Sequence, residues 1–173
     1  MKKSKQQTFW KSPDKSHGGS DAKGKRKTAR PIATKKPMLL TLKSSRAKGS
    51  WSLRRFEREI EDRVNRLAKR FRVRVYRQVN VGNHLHLAVR ASSRREFQDF
   101  LRVLTQAIAF LVTGARKGNP IGRFWDDLAF SRIVEWGRDW VGVKRYMEKN
   151  RLEAAGVARD VVDEWFRKAM KQV

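Results

Sequence analysis

The spacing of apolar residues changes several times between positions 37 and 170, and each change marks an element. "PMLLTLKS" places Met38, Leu40 and Leu42 on one face of a short strand, which runs out into the loop "SSRAKGS". Leu53, Phe56, Ile60, Val64, Leu67 and Phe71 then recur at intervals of three and four among charged residues, the stripe of an amphipathic helix. "VRVYRQV" returns to alternation and predicts Val73, Val75 and Val79 on one side of a second strand. Gly82-Asn83 turns the chain into a third, "HLHLAVR". Phe97, Phe100, Leu101, Leu104, Ile108 and Leu111 predict a helix over 93–113, "GARKGNPIG" is a loop, and "AFSRIVEW" reads as a fourth strand. From about Asp139 a helix carries Trp140, Val143 and Met147 at apolar spacing. It breaks near "AAG", before a last amphipathic helix through Val161, Val162, Trp165 and Met170.

This order is strand, helix, strand, strand, helix, strand, then helices. It predicts an α+β protein: a ferredoxin-like βαββαβ antiparallel sheet with helices on one face and additional C-terminal helices. One sheet face is expected to stay partly open. In a strand, residues two apart share a face. If Leu85, Leu87 and Val89 pack under the helices, His84 and His86 therefore lie on the open side, with Ala88 and Arg90.

Charge changes the picture of the partner. The chain has 42 Lys and Arg against 17 Asp and Glu, a net charge of +25, which makes a polyanion the natural partner, nucleic acid first. Residues 1–36 hold twelve of these cations against Asp14 and Asp21, with few apolar residues. That stretch is expected to be a disordered basic arm, with Lys25, Arg26 and Lys27 as nucleic-acid contacts and Phe9-Trp10 as a pair able to stack or to pin the arm. Residues 37–173 form the expected domain. Cysteine is absent, which excludes disulfide scaffolds, thiol nucleophiles and Cys-type zinc sites. No apolar run approaches membrane-spanning length and the N-terminus lacks a signal-peptide core, so a cytoplasmic protein without a membrane partner is expected.

The candidate chemistry lies in two short motifs. Two imidazoles on one strand face can share a divalent cation with a third ligand from elsewhere; the alternative is a pair of surface histidines. About sixty residues later, "VKRYMEKNRLEAAG" puts Tyr146 and Asn150 one turn apart on a helix. A tyrosine hydroxyl can be a nucleophile toward a phosphate polarised by a metal, and an asparagine amide oxygen can complete a metal shell. Tyr146 can equally be a packing residue. Tyr76, the only other tyrosine, reads as sheet packing or substrate contact.

Together, "NHLHL" on a strand and Tyr-x-x-x-Asn on a later helix with "AAG" just beyond resemble the single-tyrosine HUH transposases, in particular the REP-associated tyrosine transposases. The resemblance spans roughly residues 37–156 and includes "GRFWDDLAFSRIV". It implies His84 and His86 as the metal-binding pair, Asn150 as third ligand, Mg²⁺ or Mn²⁺ as cofactor and Tyr146 as the nucleophile that cuts single-stranded or hairpin DNA, leaving a 5′-phosphotyrosine and a free 3′-OH. With DNA as partner, the protein is expected to be nucleoid-associated, as a monomer or homodimer.

The chain departs from the family pattern at Gly82 and Arg151, where the family has Pro, at Met147, where it has Ile, and at Ala155-Gly156, which come one residue late. Arg72, Arg74, Arg77, Arg90, Arg94 and Arg95, on or beside the sheet, are the expected DNA contacts. Trp136, Trp140 and Trp165 suit helix packing, whereas Trp51 and Trp125 stand at loop borders where bases could stack. Two other readings compete with an active nuclease. One is a domesticated descendant that binds structured single-stranded DNA or RNA with weak or no cleavage; the other is an RNA-binding protein in which the histidines are incidental.

Overall fold

A computed structural model describes residues 15–20, 24, 28–116, 118–119 and 121–170. Its strands are β1 (Ser16–His17), β2 (Met38–Lys43), β3 (Val73–Asn80), β4 (His84–Ala91) and β5 (Phe130–Ile133), and its helices are α1 (Glu57–Arg70), α2 (Arg94–Thr113), α3 (Arg138–Ala154) and α4 (Arg159–Met170). The protein is α+β. The five strands form one sheet in the order β1-β5-β2-β4-β3, with every neighbouring pair antiparallel. The connections through α1 and α2 each return to a strand two places away, leaving one antiparallel strand between.

The main core lies between α1, α2 and one sheet face. Met38, Leu40 and Leu42 of β2 and Leu85, Leu87 and Val89 of β4 meet Ile60, Val64, Phe97, Phe100, Leu104 and Ile108 there, all essentially excluded from solvent. These are the faces the alternation predicts. Ser93 caps α2 by accepting the Glu96 N–H while its hydroxyl donates to the Glu96 carboxylate, a reciprocal arrangement that satisfies the first helical turn. Gly114, at φ 67°, ends the helix in the left-handed conformation.

Three expectations need correction. The second sheet face is not open along its length: α3 lies on it, with Val143 and Met147 packed against Leu39, Val79, Ala88 and Val134. Val79 belongs to that second cluster, whereas Val73 lies in the main core with Val75 packed against it. The reason is a register shift in β3. Val75 pairs with Val89 and Arg77 with the adjacent Ala88, so Tyr76 is an extra residue and the alternation changes phase at this bulge.

Finally, the chain joins the domain before Pro37. β1 pairs with β5, Arg30 donates to Ser131, Ile32 packs on the main core, and Lys15 and Lys36 both reach Glu135. Phe9, Trp10, Lys25, Arg26 and Lys27 lie outside the described residues.

The tryptophans also differ from expectation. Trp51 and Trp125 are partly buried against the main core, Trp51 beneath the Arg46 guanidinium and Trp125 donating its indole N–H to the Thr105 carbonyl. Trp165, expected to pack, is half exposed. No described helix is long and apolar enough to cross a membrane.

Because the segment before Pro37 contributes an edge strand and a packed isoleucine, deleting residues 1–36 is expected to lower unfolding stability by about 2 kcal/mol or more. Deleting only residues 1–14 should spare these contacts. Urea denaturation of both truncations checks this; equal midpoints for the two would show that the β1 and Ile32 contacts contribute nothing.

Candidate active site

His84 and His86 lie on the sheet face that carries α3, where β4 meets β2: His84 pairs with Lys43 and His86 with Thr41. Their rings are nearly parallel, 13° between planes and 5.9 Å between centroids. Tyr146 of α3 stands edge-on to His86, with centroids 5.5 Å apart. His84, His86, Tyr146 and Asn150 line one open cleft of about 440 Å³, together with Thr41, Asn83 and Glu153. The two motifs, far apart in sequence, thus meet in one chain.

Each histidine is held by one nitrogen. Nδ1 of His84 lies 2.6 Å from the Asn83 side-chain oxygen, and Nδ1 of His86 lies 3.0 Å from the Thr41 hydroxyl. An amide oxygen can only accept, so His84 carries its proton on Nδ1 and leaves the Nε2 lone pair free. The exposures differ, contrary to the expectation of two accessible rings. His84 is partly exposed, whereas His86 retains only 2% of its accessible surface, roofed by Tyr146 and α3.

Burial sets the charge state. Desolvation lowers the His86 pKa from 6.5 to about 4, and the neighbouring His84 pushes it the same way. His84 is also lowered, first by burial and then by Lys43, with Asp126 opposing. Both imidazoles are therefore neutral near pH 7, the form that donates a lone pair to a metal.

α3 is fixed at both ends. Arg132 makes a two-pronged bond to Asp139 in its first turn, and Asp139 also accepts the Glu135 N–H. Arg54 donates to the carbonyl of Ala154 in its last turn. Tyr146 stays 46% exposed above the buried Met147. Asn150 lines the cleft and turns its amide N–H back to the Tyr146 carbonyl, a bond that does not engage its side-chain oxygen.

Two departures from the transposase pattern follow from this backbone. Gly82 sits at φ +94° and donates its N–H to the Asn80 side chain; proline can adopt neither that angle nor that bond. Arg151 lies within α3, bonded to Glu148, where a proline would break the last turn.

The donor set fits a divalent ion in kind, offering two imidazole nitrogens and one amide oxygen, but it carries no negative charge. Among the described residues no three His, Cys, Asp or Glu side chains gather into a metal cluster. Glu153, which sequence reasoning missed, lines the cleft but is engaged by Lys149 and Arg159. Two Nε2 atoms bonded to one ion at about 2.1 Å lie at most about 4.2 Å apart, so a shared ion would require the two Nε2 atoms to lie closer together than the 5.9 Å between the ring centroids.

The expected DNA-contacting arginines fall into two groups by position. Arg74, Arg77 and Arg90 lie on the α3 side of the sheet, where Arg77 is already paired with Glu148. Arg72, Arg94 and Arg95 gather around the start of α2, where Arg72 meets Glu96, Arg94 donates to the Arg30 carbonyl and Arg95 is 3.9 Å from Asp99.

A histidine whose folded pKa is depressed leaves the unfolded chain binding the extra proton. Stability is then full above pH 6.5 and falls as pH drops toward 4, by up to about 3 kcal/mol from His86. His86→Gln, which has no proton to gain, should flatten that slope in urea titrations between pH 7 and 4. An unchanged slope would place the titrating group elsewhere.

Comparison with protein-family models gives no match to this chain, and none of the curated proteins matches it.

Proposed function

We propose that this protein cuts and rejoins single-stranded, hairpin-containing DNA through a covalent bond to Tyr146. The observation that carries the reading is the shared cleft: a His-x-His strand and a Tyr-x-x-x-Asn helix, about sixty residues apart, converge on one open space with the tyrosine ring against His86.

The Tyr146 oxygen attacks the scissile phosphorus while the bond to the 3′ oxygen breaks, leaving the DNA 5′ phosphate on the tyrosine and a free 3′-OH. The phenolic proton passes to water, which reaches the half-exposed ring, and the departing 3′ oxygen takes a proton in turn. A later 3′-OH attack on the phosphotyrosine reverses the step and joins strands without an external energy source.

His84, His86 and the Asn150 oxygen would hold a divalent cation, which when bound supplies polarisation of the phosphate. The uncharged donor set favours a phosphate as the ion's remaining partner. Its imidazoles favour Mn²⁺ over Mg²⁺. The excess of +25 supplies attraction for DNA, and with DNA as partner the protein would belong to the nucleoid.

A binding protein with weak or no cleavage is the second reading. The burial of His86 favours it, since an ion must draw that ring out of its packing.

Tyr146→Phe removes one oxygen and little volume. Single-strand binding should remain while cleavage of a labelled hairpin oligonucleotide falls about a thousandfold or more. Wild type with Mn²⁺ should give an adduct that survives denaturation, and excess EDTA or His86→Ala should prevent it. Cutting at the normal rate by Tyr146→Phe, or cutting by wild type with both DNA ends free, would make Tyr146 a packing residue.

A further inference from the structure

At the opposite end of α3 from the cleft, Tyr76, Trp136 and Trp140 form a triangle of edge-on rings with centroids 5.8, 5.3 and 5.6 Å apart. Trp136 is bound at its indole N–H to the Lys35 carbonyl and braced by two other rings, yet 49% of its surface is exposed. It is an ordered aromatic surface rather than a loose side chain. Packing of α3 does not account for it, because Val143 and Met147 already anchor the helix.

The charges beside it point the same way. The bulge that inserts Tyr76 leaves Arg74 on this face, with its guanidinium 5.0 Å from the Tyr76 ring centre. Arg74 is directly opposite Arg90 across the β3–β4 pair, and neither makes an ion pair within the described residues. Two like charges facing each other on neighbouring strands oppose folding unless an anion joins them. An exposed, rigid indole beside an unneutralised arginine pair is complementary to a nucleotide, with the base on the ring and the phosphate on the guanidinium groups.

We propose that Trp136, with Tyr76 and Trp140 behind it and Arg74 and Arg90 beside it, is a stacking platform for one base of single-stranded DNA. Binding at the platform needs no cleavage; only its placement relative to the cut rests on the function proposed above. Trp140 and Tyr146 are six residues apart on α3, about 9 Å along its axis, which a stacked strand covers in about two or three nucleotides. Trp136 lies a further 5.6 Å from Trp140 between ring centroids, so the base on it is about two to four nucleotides from the phosphate at Tyr146.

The test is binding of a fluorescent single-stranded oligonucleotide to the full chain by anisotropy at fixed salt. Trp136→Ala should weaken binding roughly five- to a hundredfold. Trp136→Phe, which keeps a stacking ring, should recover most of the affinity, and circular dichroism should show both variants folded. Walking a single abasic site along the oligonucleotide should find a position that weakens wild type equally but costs Trp136→Ala nothing further. In DNA that wild type cuts, that position should be about two to four nucleotides from the cut. Wild-type affinity in Trp136→Ala, equal losses in the Ala and Phe variants, or abasic effects that simply add to the Trp136→Ala loss would each overturn the platform. A chain that shows the coupled abasic position but never forms the tyrosine adduct would overturn the nuclease and leave the platform standing.

Discussion

The arrangement of the cleft depends on a small apolar contact, the seating of α3 on the sheet face that α1 and α2 leave uncovered. α3 is charged over most of its surface and offers the sheet chiefly Val143 and Met147. Burying such a side chain contributes about 1.5–3 kcal/mol, so two of them plus the polar ties at Asp139 and Ala154 hold the helix without making it immovable. Ala88 is as important for what it lacks: a larger residue there would lift α3 and carry Tyr146 away from His86.

That seating creates a conflict within the cleft. The helix that brings the tyrosine hydroxyl to the histidines also closes over one of them, and exclusion of water lowers the basicity of His86. A buried neutral imidazole is ready to bind a metal electronically but is shut off sterically. His84, partly exposed and oriented by Asn83, is the accessible half of the pair. An ion bound at both histidines would need His86 uncovered, and a helix held by a modest contact can give way there.

Elements with their own local chemistry were legible in the sequence. The Ser93 and Glu96 cap and the long apolar stripe define α2, and the alternation of Leu85, Leu87 and Val89 assigns His84 and His86 to the other face correctly. Tyr146, Asn150 and the histidines could be grouped only through their resemblance to a known pattern, since nothing in their spacing says that α3 docks over β4. What stayed hidden depends on tertiary contact. β1 is two polar residues in a basic stretch, with no periodicity to read, and exists because β5 offers an edge. The burial of His86 follows from where α3 lands, which sequence spacing does not encode.

The bulge at Tyr76 makes β3 a strand of two parities. Before it, the residues with core side chains are odd-numbered, as Val73 and Val75 are; after it, the odd-numbered Val79 belongs to the other layer. The two parities are reconciled by Tyr76 itself: Val75 and Arg77 already face the consecutive residues Val89 and Ala88, so a strand without Tyr76 would alternate regularly and every other side chain would keep its face. The sheet therefore does not need the extra residue, and what it adds is a ring on the α3 side, set against Trp136 and Trp140. Loss of Tyr76 would remove an aromatic surface and leave the two layers in place, whereas one more residue in β3 with no second bulge to absorb it would turn the valines of one half to the wrong layer.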